Sequence, residues 1–183
     1  MLEINVVGFP AINTERLRLR AVNQADAEQI LAIRSNELVL QYMDTKRMER
    51  LDEAIAFLQL IETAYINKTG ITWGIALHEN DKIIGTIAYW RIMREHYRAE
   101  IGYSLLADFW GKGIMLEAMK SVLQFGFQVL KLHSIEANVN PANQPSIKLL
   151  ERSGFVKEAH FKENYYFNGR FLDSAIYSLI TPS

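Results

Sequence analysis

Trp110-Gly111-Lys112-Gly113-Ile114-Met115-Leu116-Glu117-Ala118-Met119 joins an apolar stretch of strand texture, residues 97–106, to one with helical spacing, residues 114–130. The second stretch places Met115, Ala118, Met119, Val122, Gly126, Val129 and Leu130 on one face, which reads as a core stripe. Two glycines at a strand-to-helix corner let backbone amides approach a ligand with no Cβ in the way. They also stand at a helix N-terminus, where unpaired N–H groups and the dipole favour an anion. The corner is therefore read as a pyrophosphate cradle.

N-terminal to it, residues 71–79 and 82–93 read as strands with a turn at Asn80-Asp81, and Arg94-Glu95-His96 makes a second turn. Before them, Leu51, Ala54, Ile55, Leu58, Ile61 and Tyr65 recur at helical spacing, with Gly70 placed as a C-terminal cap. A short helix is expected over residues 37–43. Another is expected after Asn23, a cap with Asp26 three residues on, and it carries Ile30, Leu31 and Ile33 on its apolar side. Residues 14–22 alternate Leu17 and Leu19 with Arg16, Arg18 and Arg20, a half-buried strand whose arginines form a solvated face or an anion patch.

C-terminal to the corner, residues 134–139 form a strand with Ile135, Ala137 and Val139 on one side. Asn143 then caps a helix that has Pro145 in its first turn and runs to Gly154. Two last strands, 155–167 and 170–180, meet at Asn168-Gly169, a strong hairpin signal. The order predicts an α/β mixed sheet flanked by helices, in one domain.

The 183 residues suffice for one domain with a real core. With 49% hydrophobic and 22% charged residues, the chain is of the globular class. A net charge of −1 argues against non-specific nucleic-acid binding, and the absence of cysteine excludes disulfides, thiolate metal sites and a cysteine acyl-enzyme. No run approaches the roughly 18 apolar residues of a membrane span, and the first ten residues carry no signal pattern. A cytoplasmic address is the expectation.

Other phosphate and catalytic motifs fail. Lys112 is followed by Gly113, not Ser or Thr, so the corner is no P-loop. Leu116 stands where a dinucleotide fingerprint needs its third glycine. Residues 102–106 lack the second glycine of a nucleophile elbow, and His78, His96, His133 and His160 have no metal spacing, so no metal is expected.

Four pieces of the chain resemble the GNAT superfamily of acyl-CoA-dependent N-acyltransferases, and more closely its RimJ/RimL branch, which acetylates N-terminal amines of ribosomal proteins. Thr14-Glu15-Arg16-Leu17-Arg18-Leu19-Arg20 is similar to the branch's opening strand, and Glu100-Ile101-Gly102-Tyr103-Ser104-Leu105 to its central strand. Residues 111–118 resemble its pyrophosphate loop and helix. Asn143-Gln144-Pro145-Ser146, with Gly154-Phe155, resembles its second motif. Trp110 stands where the superfamily usually has Gln or Arg, and Met115 where it has Gly or Ala.

The resemblance implies a mostly antiparallel sheet whose central strands splay around a pantetheine arm, with acetyl-CoA as cosubstrate. Backbone groups of Ser104, Leu105 and Leu106 would line that arm, and an N–H of Leu105 or Leu106 would polarise the thioester carbonyl. Amides of Gly111, Lys112, Gly113, Ile114 and Met115 would hold the pyrophosphate, with Lys112 adding charge. Asn143 has two compatible readings, a plain helix cap or a partner of the pantetheine. Leu150 occupies the position of the superfamily's proton-donating tyrosine, and Ser146 matches the serine that takes this role in the RimL type. Tyr165 stands where that type carries its glutamate base, so Glu100 becomes the candidate base, with Glu163 next.

An α-amino group has a pKa of about 7.7–8.0 and lysine about 10.4, so deprotonation at pH 7 costs roughly 1 and more than about 4 kcal/mol respectively. A site with a weak base therefore favours an N-terminal amine, such as that of a ribosomal protein. A small-amine acetyltransferase acting on a polyamine or antibiotic is the alternative within the same chemistry. A non-catalytic acyl-CoA-binding module is the alternative outside it. Acceptor selection is assigned to residues 37–53 and the last hairpin, and a homodimer is expected from the branch's habit.

Overall fold

The computed structural model describes residues 1–181. A 3-10 turn capped by Asn23 leads into helix α1 (Ala27–Ser35), followed by α2 (Glu37–Leu40) and α3 (Leu51–Ile66). Before them lie strands β1 (Ile12–Asn13) and β2 (Leu17–Ala21). After them come β3 (Ile71–Leu77), β4 (Asn80–Met93) and β5 (Arg98–Leu105), then α4 (Ile114–Gln128). Strand β6 (Ser134–Val139), helix α5 (Gln144–Arg152) and the hairpin β7 (Val156–Phe167) and β8 (Arg170–Ile180) complete the order.

Among the described residues, eight strands form one sheet in the order β1-β2-β3-β4-β5-β6-β8-β7. Every neighbouring pair is antiparallel except β5 and β6, which α4 connects in parallel. This is the mixed sheet flanked by helices that the sequence predicts.

Period-2 alternation divides the sheet into two faces. Trp73, Ile87, Tyr89, Ala99, Ile101 and Ile135 pack with α4 residues Ala118, Met119 and Val122 in the main core. Ala27 and Ile30 of α1 and Ala54 and Leu58 of α3 form a second, smaller cluster with Ile83. The even-numbered residues of β5 and β6, among them Glu100, Gly102, Ser104 and Glu136, therefore face the α1–α3 side.

Several local expectations are corrected. The turn between β3 and β4 is His78-Glu79, not Asn80-Asp81, because Asn80 already pairs with Leu77. Gly70 is not the left-handed cap of α3: Lys68 takes that role at φ 56°. Gly70 instead serves close approach, since a Cβ there would lie 3.0 Å from the Tyr89 carbonyl oxygen. The buried stripe of α4 is broader than expected, taking in Leu123 and Phe125, while Val129 is exposed. Of the β2 arginines, Arg18 is solvated as expected and touches Asp81 at 3.5 Å, whereas Arg20 is largely covered and pairs with Asp26 at 2.7 Å.

Strand β7 is bordered on one side only. Its pairing with β8 jumps from Phe161↔Ser174 to Tyr165↔Leu172, so residues 162–164 bulge opposite Asp173. Asp173 fills the bulge, accepting from the Glu163 N–H at 2.9 Å and lying 2.8 Å from His160 Nε2. Those two contacts hold its carboxyl below the usual range.

Helix α4 meets the sheet most closely at Gly126. Tyr89 donates its hydroxyl to the Val122 carbonyl at 2.8 Å, and a Cβ at Gly126 would fall on that hydroxyl and lie 2.9 Å from Tyr89 Cζ. Gly→Ala in a helix ordinarily stabilises by about 1 kcal/mol. Here crowding reverses the sign, and Gly126→Ala is expected to destabilise by about 1–3 kcal/mol in thermal or urea unfolding.

Candidate active site

The site begins where β5 and β6 part. Their register runs Arg98↔Ser134, Ala99↔Ile135 and Glu100↔Glu136, and stops. Beyond Glu100, residues 101–105 keep β4 as a partner on one edge and leave the other edge to a gap. The fork follows from the chain's path: β5 ends in a 3-10 turn (Ala107–Phe109) that carries it away to α4, while β6 continues beside β8.

Backbone direction along the open edge follows from antiparallel alternation. Leu106 N–H donates to the Ile84 carbonyl at 2.9 Å, so residues 104 and 106 turn their amides toward β4. Leu105 turns the other way, and its carbonyl accepts from Trp110 Nε1 at 2.7 Å. Of the two amides expected to polarise a carbonyl, Leu106 is already engaged in the sheet and Leu105 faces the gap. Ser104 reaches the α1–α3 face by its side chain, 3.0 Å from Thr86 Oγ1.

The glycine corner follows. Gly111 and Gly113 adopt φ 71° and 75°, the left-handed region, and a Cβ at Gly111 would meet nothing within 4 Å. Gly113 is the N-cap of α4 and offers no side chain to its first turn, so the N–H groups of Ile114 and Met115 point into an open cradle. These features fit a diphosphate. Lys112 extends its ammonium over the Phe109 ring, 5.4 Å from the centroid.

A network behind the corner was not legible from the motif. Arg16 donates to the Lys112 carbonyl at 3.0 Å and to Glu117 at 2.6 Å, and Thr14 donates to the same carboxylate at 2.5 Å. Burial opposes the charge on Glu117, but these hydrogen bonds outweigh it and hold its pKa below the ordinary carboxylate value. Arg16 thus turns one loop carbonyl away from the cradle and neutralises the only acidic residue in the first turn of α4. Arg16→Ala is expected to raise the KM for acetyl-CoA about fivefold with the acceptor KM unchanged, a modest effect because Arg16 is half exposed to solvent. Initial-rate kinetics with either substrate varied checks it.

On the α4 face of the fork, Tyr103 and Ser146 meet with their hydroxyl oxygens 2.6 Å apart. Asn143 accepts from the Ser146 N–H at 3.2 Å, which is the capping reading of that residue, and its amide nitrogen remains for a ligand. Burial pushes the Tyr103 phenol up to about 12. Leu150 is fully buried in the main core, so the helix face that would carry a tyrosine acid serves packing instead. Tyr103 was missed in the sequence because its partner is 43 residues away; the signal was its position two residues before Leu105, on the same side of an alternating strand.

On the opposite face, Glu100 is 5% exposed and stands at the point where the fork opens. Burial raises its pKa, Glu136 raises it further, and Arg91, 2.6 Å away, pulls it back. The indole of Trp90, displaced by a bulge in β4, lies against Gly102 next to it. Glu163 is exposed in the β7 bulge with a left-handed backbone, and Tyr165 donates its hydroxyl to Asp44. Among the described residues no group of His, Asp and Glu is placed to hold a metal, and no helix is long and apolar enough to cross a membrane.

Residues 16–156 match the family model described as an acetyltransferase (GNAT) domain. An uncharacterised N-acetyltransferase of Bacillus subtilis, YoaA, is 37% identical over 174 residues, covering 95% of this chain and 98% of that protein. The spermidine N(1)-acetyltransferase of Vibrio cholerae is 27% identical over 158 residues, 86% of this chain and 89% of that one. Among solved structures, the ribosomal-protein-S5-alanine acetyltransferase of Vibrio fischeri superposes with a TM-score of 0.84 at 27% identity, covering 95% of this chain and 98% of its own.

Proposed function

The chain belongs to the GNAT family of acetyl-CoA-dependent acetyltransferases, and we propose that its acceptor is the α-amine at a protein N-terminus, as in the RimJ/RimL branch. The observation that carries this reading is the fork itself. Its two faces present different chemistry at one opening: the Tyr103–Ser146 hydroxyl pair on the α4 side and the buried Glu100 carboxylate on the other.

Acetyl-CoA supplies an activated acetyl group at the end of a thioester arm. Gly111, Gly113 and the first amides of α4 would anchor its diphosphate, and the open edge of β5 would align the arm. The Leu105 N–H would stabilise negative charge on the carbonyl oxygen. An amine arriving from the α1–α3 side attacks directly; the C–N bond forms as the C–S bond breaks. Ser146 would donate a proton to the leaving sulfur and regain one through Tyr103, which is reprotonated from solvent. Glu100, directly or through water, would take the proton that the amine loses.

Burial raises the Glu100 pKa above the ordinary carboxylate value despite Arg91, yet a carboxylate remains a far weaker base than an amine, and such a base suits an amine that needs only about 1 kcal/mol to become neutral at pH 7. The test is acetylation of matched peptides that carry either a free N-terminus or a single lysine. Faster turnover at the N-terminus is expected, and faster lysine modification overturns the reading. A polyamine is the second reading, favoured by Glu136 lying beside Glu100 on the acceptor face. Preference for spermidine over both peptides would select it.

A further inference from the structure

Tyr165 donates its hydroxyl to Asp44 Oδ2 at 2.5 Å, joining residues 121 positions apart in the chain. The two belong to opposite walls of the molecule. Asp44 lies in the segment between α2 and α3, whose layer packs on β3 and β4. Tyr165 lies on β7, at the far side of the sheet order. The contact therefore crosses β5, β6 and β8 on the face that carries Glu100 and Ser104.

Its position along the strands is also fixed. Tyr165 pairs with Leu172, beyond Ala175, which is the partner of the last residue of β6, Val139. That is the end of β6 where the fork is open. The crossing thus spans the mouth through which an acceptor must reach Ser104 and Glu100.

The Asp44 side of the crossing is anchored and does not hang free. Arg34 donates to Thr45 Oγ1 at 2.7 Å, Met48 N–H donates to the Arg34 carbonyl at 3.0 Å, and the Arg34 guanidinium stacks on Phe57 at 4.4 Å. On the other wall, the Asp173-filled bulge holds the backbone two residues from Tyr165. The link joins two braced walls.

We infer that the Tyr165–Asp44 bond is a clasp across the acceptor mouth and a specificity determinant: it limits the enzyme to amines presented on a slender chain end. The inference rests on the acetyl-transfer reading and narrows its substrate class. A peptide beginning with a small residue passes under the clasp, whereas one beginning with a bulky aromatic residue must break it. Neither residue touches the cosubstrate cradle, so the effect appears in acceptor selectivity and not in the KM for acetyl-CoA.

The experiment compares wild type with Tyr165→Phe, Asp44→Ala and the double variant, using peptides that begin with alanine or tryptophan and are otherwise identical. The ratio of kcat/KM for the two peptides is expected to fall at least fivefold in each single variant. The double variant should fall no further, because both changes remove one interaction. A ratio that stays within twofold of wild type overturns the inference. Trypsin cleavage after Lys46 and Arg47 gives a readout independent of turnover. It should quicken severalfold in Tyr165→Phe and not in Tyr166→Phe, whose ring is exposed against Phe171. Failure of every variant and wild type to acetylate either peptide refutes the N-terminal acceptor reading. Unchanged cleavage refutes the clasp.

Discussion

Ser146→Ala is expected to lower kcat about a hundredfold while the KM for acetyl-CoA changes by less than about twofold. Removing a positioned proton donor typically costs about 10²–10⁴ in rate. The lower end applies here because water can reach the fork once the hydroxyl is gone. Ser146 sits at the start of α5, where its N–H remains capped by Asn143, so the helix should survive the change. Tyr103→Phe tests the same pair from behind. It leaves Ser146 in place without its outer donor, and a loss of about tenfold is expected. Burial pushes the Tyr103 phenol up to about 12, so it remains protonated across the physiological range, and the alkaline side of the wild-type rate profile should reflect other groups. Equal kcat in wild type and Ser146→Ala, measured by release of free CoA, would remove the serine from the mechanism.

Gly113→Val separates binding from chemistry. At φ 75° a β-branched residue costs about 1–3 kcal/mol of backbone strain. The branched side chain also grows into the space that the anion must enter. Together these are expected to lower kcat/KM for acetyl-CoA about a hundredfold, through KM more than kcat, since about 1.4 kcal/mol is a factor of ten. The nearest atom to a Cβ at Gly113 is Arg16 Nη2 at 3.5 Å, an ordinary contact, so the loss comes from backbone conformation and the filled anion space and not from a clash within the protein. Gly113→Asn should recover a large part of it, because asparagine tolerates the left-handed region. Isothermal titration with CoA reads the effect directly, and undiminished affinity in the valine variant would show that the corner holds no diphosphate.

Much of this arrangement was legible in the sequence where short-range rules decide it. Asn168-Gly169 forms the expected turn, with both residues at positive φ, 51° and 83°. Asn143 caps α5, and β6 spans the predicted Ser134–Val139. The glycine corner lies between strand and helix as its spacing implied, and its two glycines take the left-handed region. Expectations failed where a distant partner overrode a local signal. Gly70 looked like a cap, but the approach of β4 is what needs a residue without Cβ there, and Lys68 bears the left-handed turn. Arg16, just before β2, is half solvated as the alternation implied, but its reach of 101 residues along the chain to Glu117, which braces the cradle, has no local signal. Tyr103–Ser146 and Tyr165–Asp44 have the same character: each is a tertiary contact between ordinary-looking side chains, and no spacing rule announces it.

The one-sided strand β7 carries a further consequence. An unpaired border of twelve residues, with Val156, Phe161 and Tyr166 exposed along it, is the kind of surface on which chains stack into fibrils. Two devices work against that here. The three-residue bulge interrupts the ladder of free amide and carbonyl groups near its middle, and Lys157, Glu158 and Lys162 set charges beside the apolar side chains. The bulge that braces the acceptor wall thus also keeps neighbouring molecules from adding a ninth strand.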